Sequence, residues 1–172
     1  RFPEFEVMDR YLEQLHVEEL TDRAISMIDV QEGKYFMWLH YLDPHHPYMA
    51  PEKKYVEMFR EGPEDEERNI GRYIVFDRWM NITNHQKQRM SQLYDSEIRY
   101  MDSHVGRLID HLKDKGEFRN TVIIFTADHG ECLGENRLID HNNLYRCSVR
   151  VPMILHIPGE EHREVEKTVS GI

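Results

Sequence analysis

The sequence is poor in several features that would settle a function quickly. Its 172 residues hold two cysteines, Cys132 and Cys147, which form no CxxC pair. Two alone make no disulfide framework, so free thiols are expected, with a single bridge, as in an exported enzyme, the alternative. No apolar run approaches the ~20 residues that span a bilayer. The opening Arg1-Phe2-Pro3-Glu4-Phe5-Glu6 lacks the apolar core of a signal peptide and does not begin with Met. A processed chain or a piece of a longer one is therefore expected, and exported and cytoplasmic locations both stay open. Positive charge is short: 22 Lys and Arg stand against 32 Asp and Glu, a net charge of -10. That argues against a nucleic-acid partner held through a broad basic surface, which needs clustered Lys and Arg. Internal repeats and low-complexity tracts are absent.

What is present fits one soluble domain with a real core: 40% hydrophobic and 31% charged residues. Residues 1–20 lack a clean period and are expected to be a partly ordered lead-in. Ala24, Met27, Ile28 and Val30 then give a helical rhythm, with Thr21 as its N-cap. Residues 35–42, almost continuously apolar and aromatic, predict a strand buried on both faces that stops at Asp43-Pro44. A short helix is expected over 51–60, with Pro51 in its first turn. Glu61-Gly62-Pro63-Glu64-Asp65-Glu66-Glu67 lacks the alternate-residue spacing of a calcium loop and predicts a solvated loop. From about Asn84 to Lys115, Met90, Leu93, Ile98, Met101, Val105, Leu108 and Leu112 mark one face of a long helix, stopped at Gly116. Two more strands, 121–126 and 153–157, follow. Strand, long helix, strand predicts an α/β fold with a mainly parallel sheet flanked by helices.

The chemistry-bearing residues cluster after two of these strands. One runs into Asp43-Pro44-His45-His46-Pro47-Tyr48, the other into Asp128-His129-Gly130-Glu131. In open α/β sheets, ligands bind beyond the C-terminal strand ends, so both clusters can serve one site. Asp128 and His129 offer a carboxylate oxygen and an imidazole nitrogen side by side. A hard divalent cation suits the carboxylate, and the imidazole widens the choice towards manganese or zinc. The structural alternative for this pair is a hydrogen-bonded turn or a helix cap. His45 and His46 sit in a loop stiffened by two prolines. Imidazoles there can protonate a leaving group or, when charged, bind an anion, the alternative being an ordinary surface loop. His141, in Asp140-His141-Asn142-Asn143, is a third candidate.

In order along the chain, these motifs resemble the sulfatase family of the alkaline phosphatase superfamily. They are Leu42-Asp43-Pro44-His45-His46-Pro47-Tyr48, Tyr94-Asp95-Ser96-Glu97-Ile98-Arg99-Tyr100-Met101-Asp102, Thr126-Ala127-Asp128-His129-Gly130-Glu131 with Leu133-Gly134-Glu135, and Leu144-Tyr145-Arg146 through Val151-Pro152 and Pro158-Gly159. The resemblance covers residues 33–172 and implies a partial alkaline-phosphatase-like fold. It makes Asp128 and His129 metal ligands, and calcium the usual metal, with manganese kept open by His129. It gives His45 a contact to the sulfate group or leaving oxygen, with His46 beside it. His141 stands where many relatives have a Lys or His that binds sulfate and assists the leaving group. Arg150, in Arg150-Val151-Pro152, is given a structural role.

The resemblance also implies a covalent nucleophile, formylglycine made from the cysteine of a C-x-P-x-R motif, or a serine in a similar context. Neither motif occurs in these residues, and Cys147-Ser148-Val149-Arg150 lacks the proline and the spacing. Paired N-terminal aspartates that complete the metal site are missing too. The expectation is truncation at both ends: part of a sulfatase catalytic domain, inactive alone, with the formylglycine in the N-terminal part not present here. The substrate implied is a small-molecule or carbohydrate sulfate ester. The alternatives are a phosphate or phosphonate ester hydrolase or phosphoryl transferase of the same superfamily, and a non-catalytic binding module on the same fold.

Overall fold

The computed structural model describes residues 16–46, 48, 52–62, 83–166 and 168–169. The lead-in over residues 1–15, Pro51 and most of the acidic loop lie outside them. Four helices are described: α1 (Val17–Val30), α2 (Lys53–Phe59), α3 (Asn84–Asp114) and the one-turn α4 (Arg146–Val149). Four short strands join them: β1 (Ile123–Thr126), β2 (Cys132–Leu133), β3 (Ile139–Asp140) and β4 (Met153–His156).

The long helix α3 is the spine, and local chemistry sets both its ends. Thr83 and Gln86 form a reciprocal capping box, each side chain meeting the other's backbone N–H. At the far end Gly116 takes φ 75°, the left-handed conformation that ends helices without a Cβ penalty. Met90 and Leu93 on its inner face are fully buried among Tyr48 and Val56, with Tyr94, Leu133 and Ile139 around them. Burial of side chains this size contributes about 1.5–3 kcal/mol each. The stripe is not purely apolar: Ser96, Glu97 and His104 are buried on it, whereas Ile98, expected inside, is exposed.

Helix α1 begins one turn before the expected cap. Thr21 is interior, its hydroxyl donating to the Val17 carbonyl at 2.8 Å and pairing with the Tyr41 hydroxyl at 3.0 Å. A threonine hydroxyl can cap a helix or bond back four residues, and the burial of Val17 on the same face decides for the second. Met27 and Val30 point outward, so the packed stripe is Val17, Thr21, Ala24 and Ile28. Arg107 to Asp22 at 2.6 Å and Lys115 to the Ile28 carbonyl at 2.7 Å hold α1 against α3. Helix α2 leans on α3 through the Tyr55 and Ser103 hydroxyls, 2.9 Å apart.

The α/β class stands, but the strands pair differently from the parallel crossover expected. Residues 35–42 form no strand and share no ladder with β1 among the described residues. They are covered on one side only: Phe36 is 87% and Trp38 78% exposed, while Tyr35, Met37 and Leu39 turn inward. β1 pairs with β4 antiparallel, from Ile123 opposite His156 to Thr126 opposite Met153, and β2 pairs antiparallel with β3. A parallel pair needs a crossover element long enough to return over the sheet. Between β1 and β4 the helices are a three-residue 3-10 turn, Glu135–Arg137, and the four-residue α4, so the chain doubles back. No helix among the described residues is long and apolar enough to cross a membrane.

The free-thiol expectation is overturned. Cys132 and Cys147 form a disulfide with Cα atoms 5.1 Å apart, because the excursion between β1 and β4 folds β2 and α4 together.

Candidate active site

The site is built on that excursion and on the loop after residues 35–42. β1 ends at Thr126, whose hydroxyl donates to the Pro152 carbonyl at 2.9 Å and closes the neck. Asp128 and His129 follow at once. Gly130 then donates its N–H to the Ser148 carbonyl at 2.7 Å. A Cβ on Gly130 would collide with the Cys147 carbonyl, so this close backbone approach requires glycine. Opposite, Tyr48 is buried edge-on against Tyr94, 5.6 Å between ring centres, and anchors the loop that carries His45 and His46.

These supports bring four imidazoles together. The rings of His129 and His141 stack at 3.9 Å, and His45 lies 5.1 Å from His141 and 6.0 Å from His129. His46 sits 4.3 Å from His45 and 5.6 Å from His141. Ligand atoms of His45, His46 and His141 all lie within 4.8 Å of one another. Asp128 is at the edge of this group, its side chain 67% exposed.

Hydrogen bonds settle which ring nitrogen is committed. His129 Nδ1 faces the Gly130 carbonyl at 2.9 Å, and His45 Nδ1 faces the His46 carbonyl at 2.6 Å. A carbonyl only accepts, so each Nδ1 carries the proton and each Nε2 keeps its lone pair. For His129 that lone pair lies 3.9 Å from Asp128 Oδ1. An imidazole and a carboxylate this close suit one divalent cation, with a backbone carbonyl fixing the ligand ring from behind. Partial burial acts to raise the Asp128 carboxyl, but the His129 charge, backbone N–H groups and His40 outweigh it, so it falls below the usual value. An ionised carboxylate is the state a metal ligand needs.

Two carboxylates given no role from sequence complete the cluster. Glu131 Oε2 and Asp140 Oδ1 lie 3.3 and 3.1 Å from His141 Nδ1. Burial raises the Glu131 carboxyl, and the neighbouring Asp140 charge adds to this against the opposing pull of His141 and His45. The Tyr48 phenol is pushed up by burial first and then by the Glu131 charge, which puts Glu131 between the histidines and the aromatic anchor. Both acids stand inside the motifs named above, Glu131 after Gly130 and Asp140 before His141. Adjacency to a candidate histidine was the only sequence signal for either.

Residues 4–172 match the family described as Sulfatase. Human iduronate 2-sulfatase is 26% identical over 164 residues, covering 81% of this chain and 30% of that protein. The arylsulfatase of Clostridium perfringens is 27% identical over 136 residues, covering 73% of this chain and 28% of that protein. The structure of a phosphonate monoester hydrolase from Silicibacter pomeroyi superposes with a TM-score of 0.66 at 27% identity, covering 84% of this chain and 34% of that one. The chain thus spans about a third of the length of the proteins it matches.

Proposed function

The chain belongs to the sulfatase family, and on that premise we propose that it is part of the catalytic domain of a metal-dependent sulfuric ester hydrolase. The observation that carries this is the convergence of His45, His129 and His141 from two loops, with Asp128 alongside. Three imidazoles in mutual contact serve an anionic ligand or a cation better than they serve a core.

In this proposal Asp128 and His129 would hold the divalent cation. Calcium suits the carboxylate, and manganese suits the imidazole. When bound, the cation supplies positive charge against the sulfuryl oxygens. His45 presents Nε2 to the sulfate group or to the ester oxygen that leaves, since its Nδ1 is bonded to the His46 carbonyl. His141 faces the same group from the other loop, as sulfate contact and as the residue that assists the leaving oxygen. His46 adds a further contact. Charge held in place around a developing oxyanion is the strongest stabilisation such a site can give. The 172 residues contain no C-x-P-x-R or S-x-P-x-R nucleophile motif. By themselves they hydrolyse no ester; the formylglycine and the remaining ligands belong to other segments of the domain. The substrate is a sulfate ester of a small alcohol or a carbohydrate.

A second function is favoured by one observation. The likeness to a phosphonate monoester hydrolase fits hydrolysis of phosphate or phosphonate esters on the same residues. Assay of the full-length protein against matched aryl sulfate and aryl phosphonate esters separates the two, and a rate ratio favouring the phosphonate overturns the sulfatase assignment. In the same protein, Asp128→Ala should lower bound metal and turnover together, each by more than about tenfold. Turnover lost with metal retained would remove Asp128 from the ligand set.

A further inference from the structure

Asp140 and Glu131 grip one nitrogen of His141 and leave the other. Their side chains are 7% and 4% exposed. Glu131 Oε2 accepts from Nδ1 at 3.3 Å, and Asp140 Oδ1 lies 3.1 Å from the same nitrogen, so Nδ1 carries the proton. Nε2, on the far edge of the ring, is the nitrogen left for the ester.

Asp140 is held more firmly than a surface turn requires. Its Oδ1 accepts the His141 backbone N–H at 2.6 Å, and its Oδ2 accepts from the Asn142 amide at 2.9 Å. Its carbonyl accepts from the Asn143 amide at 3.2 Å. Asn143 Oδ1 in turn accepts from the Ser148 hydroxyl at 3.0 Å and the Tyr145 N–H at 2.9 Å, beside the Cys132–Cys147 bridge. The same Asp140 Oδ1 lies 3.8 Å from His46 Nε2. All this is built on a backbone at φ 83°, where glycine is unstrained and a residue with a Cβ is not. A turn needing only its shape would be better served by glycine. What Asp140 adds is the carboxylate.

We propose that Asp140, seconded by Glu131, is the positioning residue of the site: it fixes the tautomer and plane of His141 so that Nε2 meets the ester. This rests on the sulfuric-ester-hydrolase proposal above. A lysine at this position would offer a point charge on a flexible stem, which requires no such device. An imidazole with two different nitrogens does require it, and a second carboxylate behind the first makes the grip two-sided.

The test uses the full-length, metal-loaded protein and two variants, Asp140→Gly and Asp140→Asn. Glycine relieves the backbone and removes the grip. The expected result is folded protein with unchanged metal content, and kcat lower on the order of 10-fold to 100-fold, with KM within threefold. Asparagine, which keeps the shape and one acceptor oxygen, should recover part of the rate. An Asp140→Gly enzyme with wild-type kcat overturns the proposal, and so does a loss of rate matched by loss of metal or of folded protein. A readout independent of turnover is the 15N shift pair of His141 in histidine-labelled protein. Wild type should show Nδ1–H, and Asp140→Gly should lower its share, with Glu131 remaining as an acceptor. An unchanged pair overturns the positioning role even in a protein that cleaves no ester, whereas a changed pair in such a protein leaves positioning standing and removes the sulfatase assignment alone.

Discussion

Breaking the bridge between Cys132 and Cys147 should loosen the site-bearing loop by an amount that its length sets. The sequence separation is 15 residues, and closure of a loop this long is worth about 3 kcal/mol in the chain-entropy description. Cys147→Ser is the gentler perturbation, because Cys147 is half-buried and Cys132 is fully buried against the Ser148 hydroxyl. Opening of the segment in the unbridged chain regains that entropy. Amide exchange at Gly130, Gly134, Leu138 and Ser148, whose N–H groups all bond within or across the excursion, should then quicken. About 3 kcal/mol corresponds to roughly 150-fold. Exchange measured by mass spectrometry on the intact protein, oxidised wild type beside the variant, reads this directly, with α3 amides as the internal control. An acceleration below about threefold would mean that the hydrogen bonds of Gly130, Asn143 and Ser148 hold the loop unaided, and that the bridge adds nothing to its order.

Other consequences are open to simpler measurement. Thr83→Ala removes the hydroxyl half of the capping box at the start of α3 and leaves the Gln86 side chain on the backbone N–H of residue 83; it should cost about 1 kcal/mol, visible as a fall in Tm of a few degrees, and no shift would mean the helix start is held without the hydroxyl. In metal-free protein the Asp128 carboxyl should titrate below the ordinary aspartate value, and His129→Ala should move it up, since the His129 charge is the largest of the lowering influences. A carboxyl depressed in the folded state binds fewer protons than in the unfolded chain. Its contribution is therefore complete above the unfolded value and is lost as pH falls through the folded one, so pH 6 to 8 should leave it unchanged.

The helices were the most legible part of the sequence, because their signals are local. Gly116 marks the end of α3, and its apolar face can be counted off. Pairing was not legible. Whether residues 35–42 are covered on one face or two depends on neighbours far along the chain, and the same apolar run is compatible with both. The bridge was hidden for a related reason: 15 residues of separation say nothing until the intervening β2, β3 and α4 bring the two sulfur atoms together. At the site, His45, His129 and His141 could be named because each follows a strand or sits in an ordered motif. Glu131 and Asp140 could not be given a role, since a carboxylate next to a histidine in sequence faces it only if the backbone turns. At Asp140 that turn lies in a region which side chains seldom occupy.

The antiparallel return of β4 beside β1 has a mechanical consequence. Thr126 and Met153 are partners on one rung, so the excursion carrying Asp128, His129, Glu131, Asp140 and His141 leaves and rejoins the sheet at a single point. It hangs from the sheet as a rigid pendant hangs from one ring. The Cys132–Cys147 bridge and the Gly130 to Ser148 hydrogen bond tie the excursion across, so flexing of the sheet edge would tilt all five residues together. His45 and His46 hang from a separate support, so the one spacing that bending can tune is the gap between the two loops.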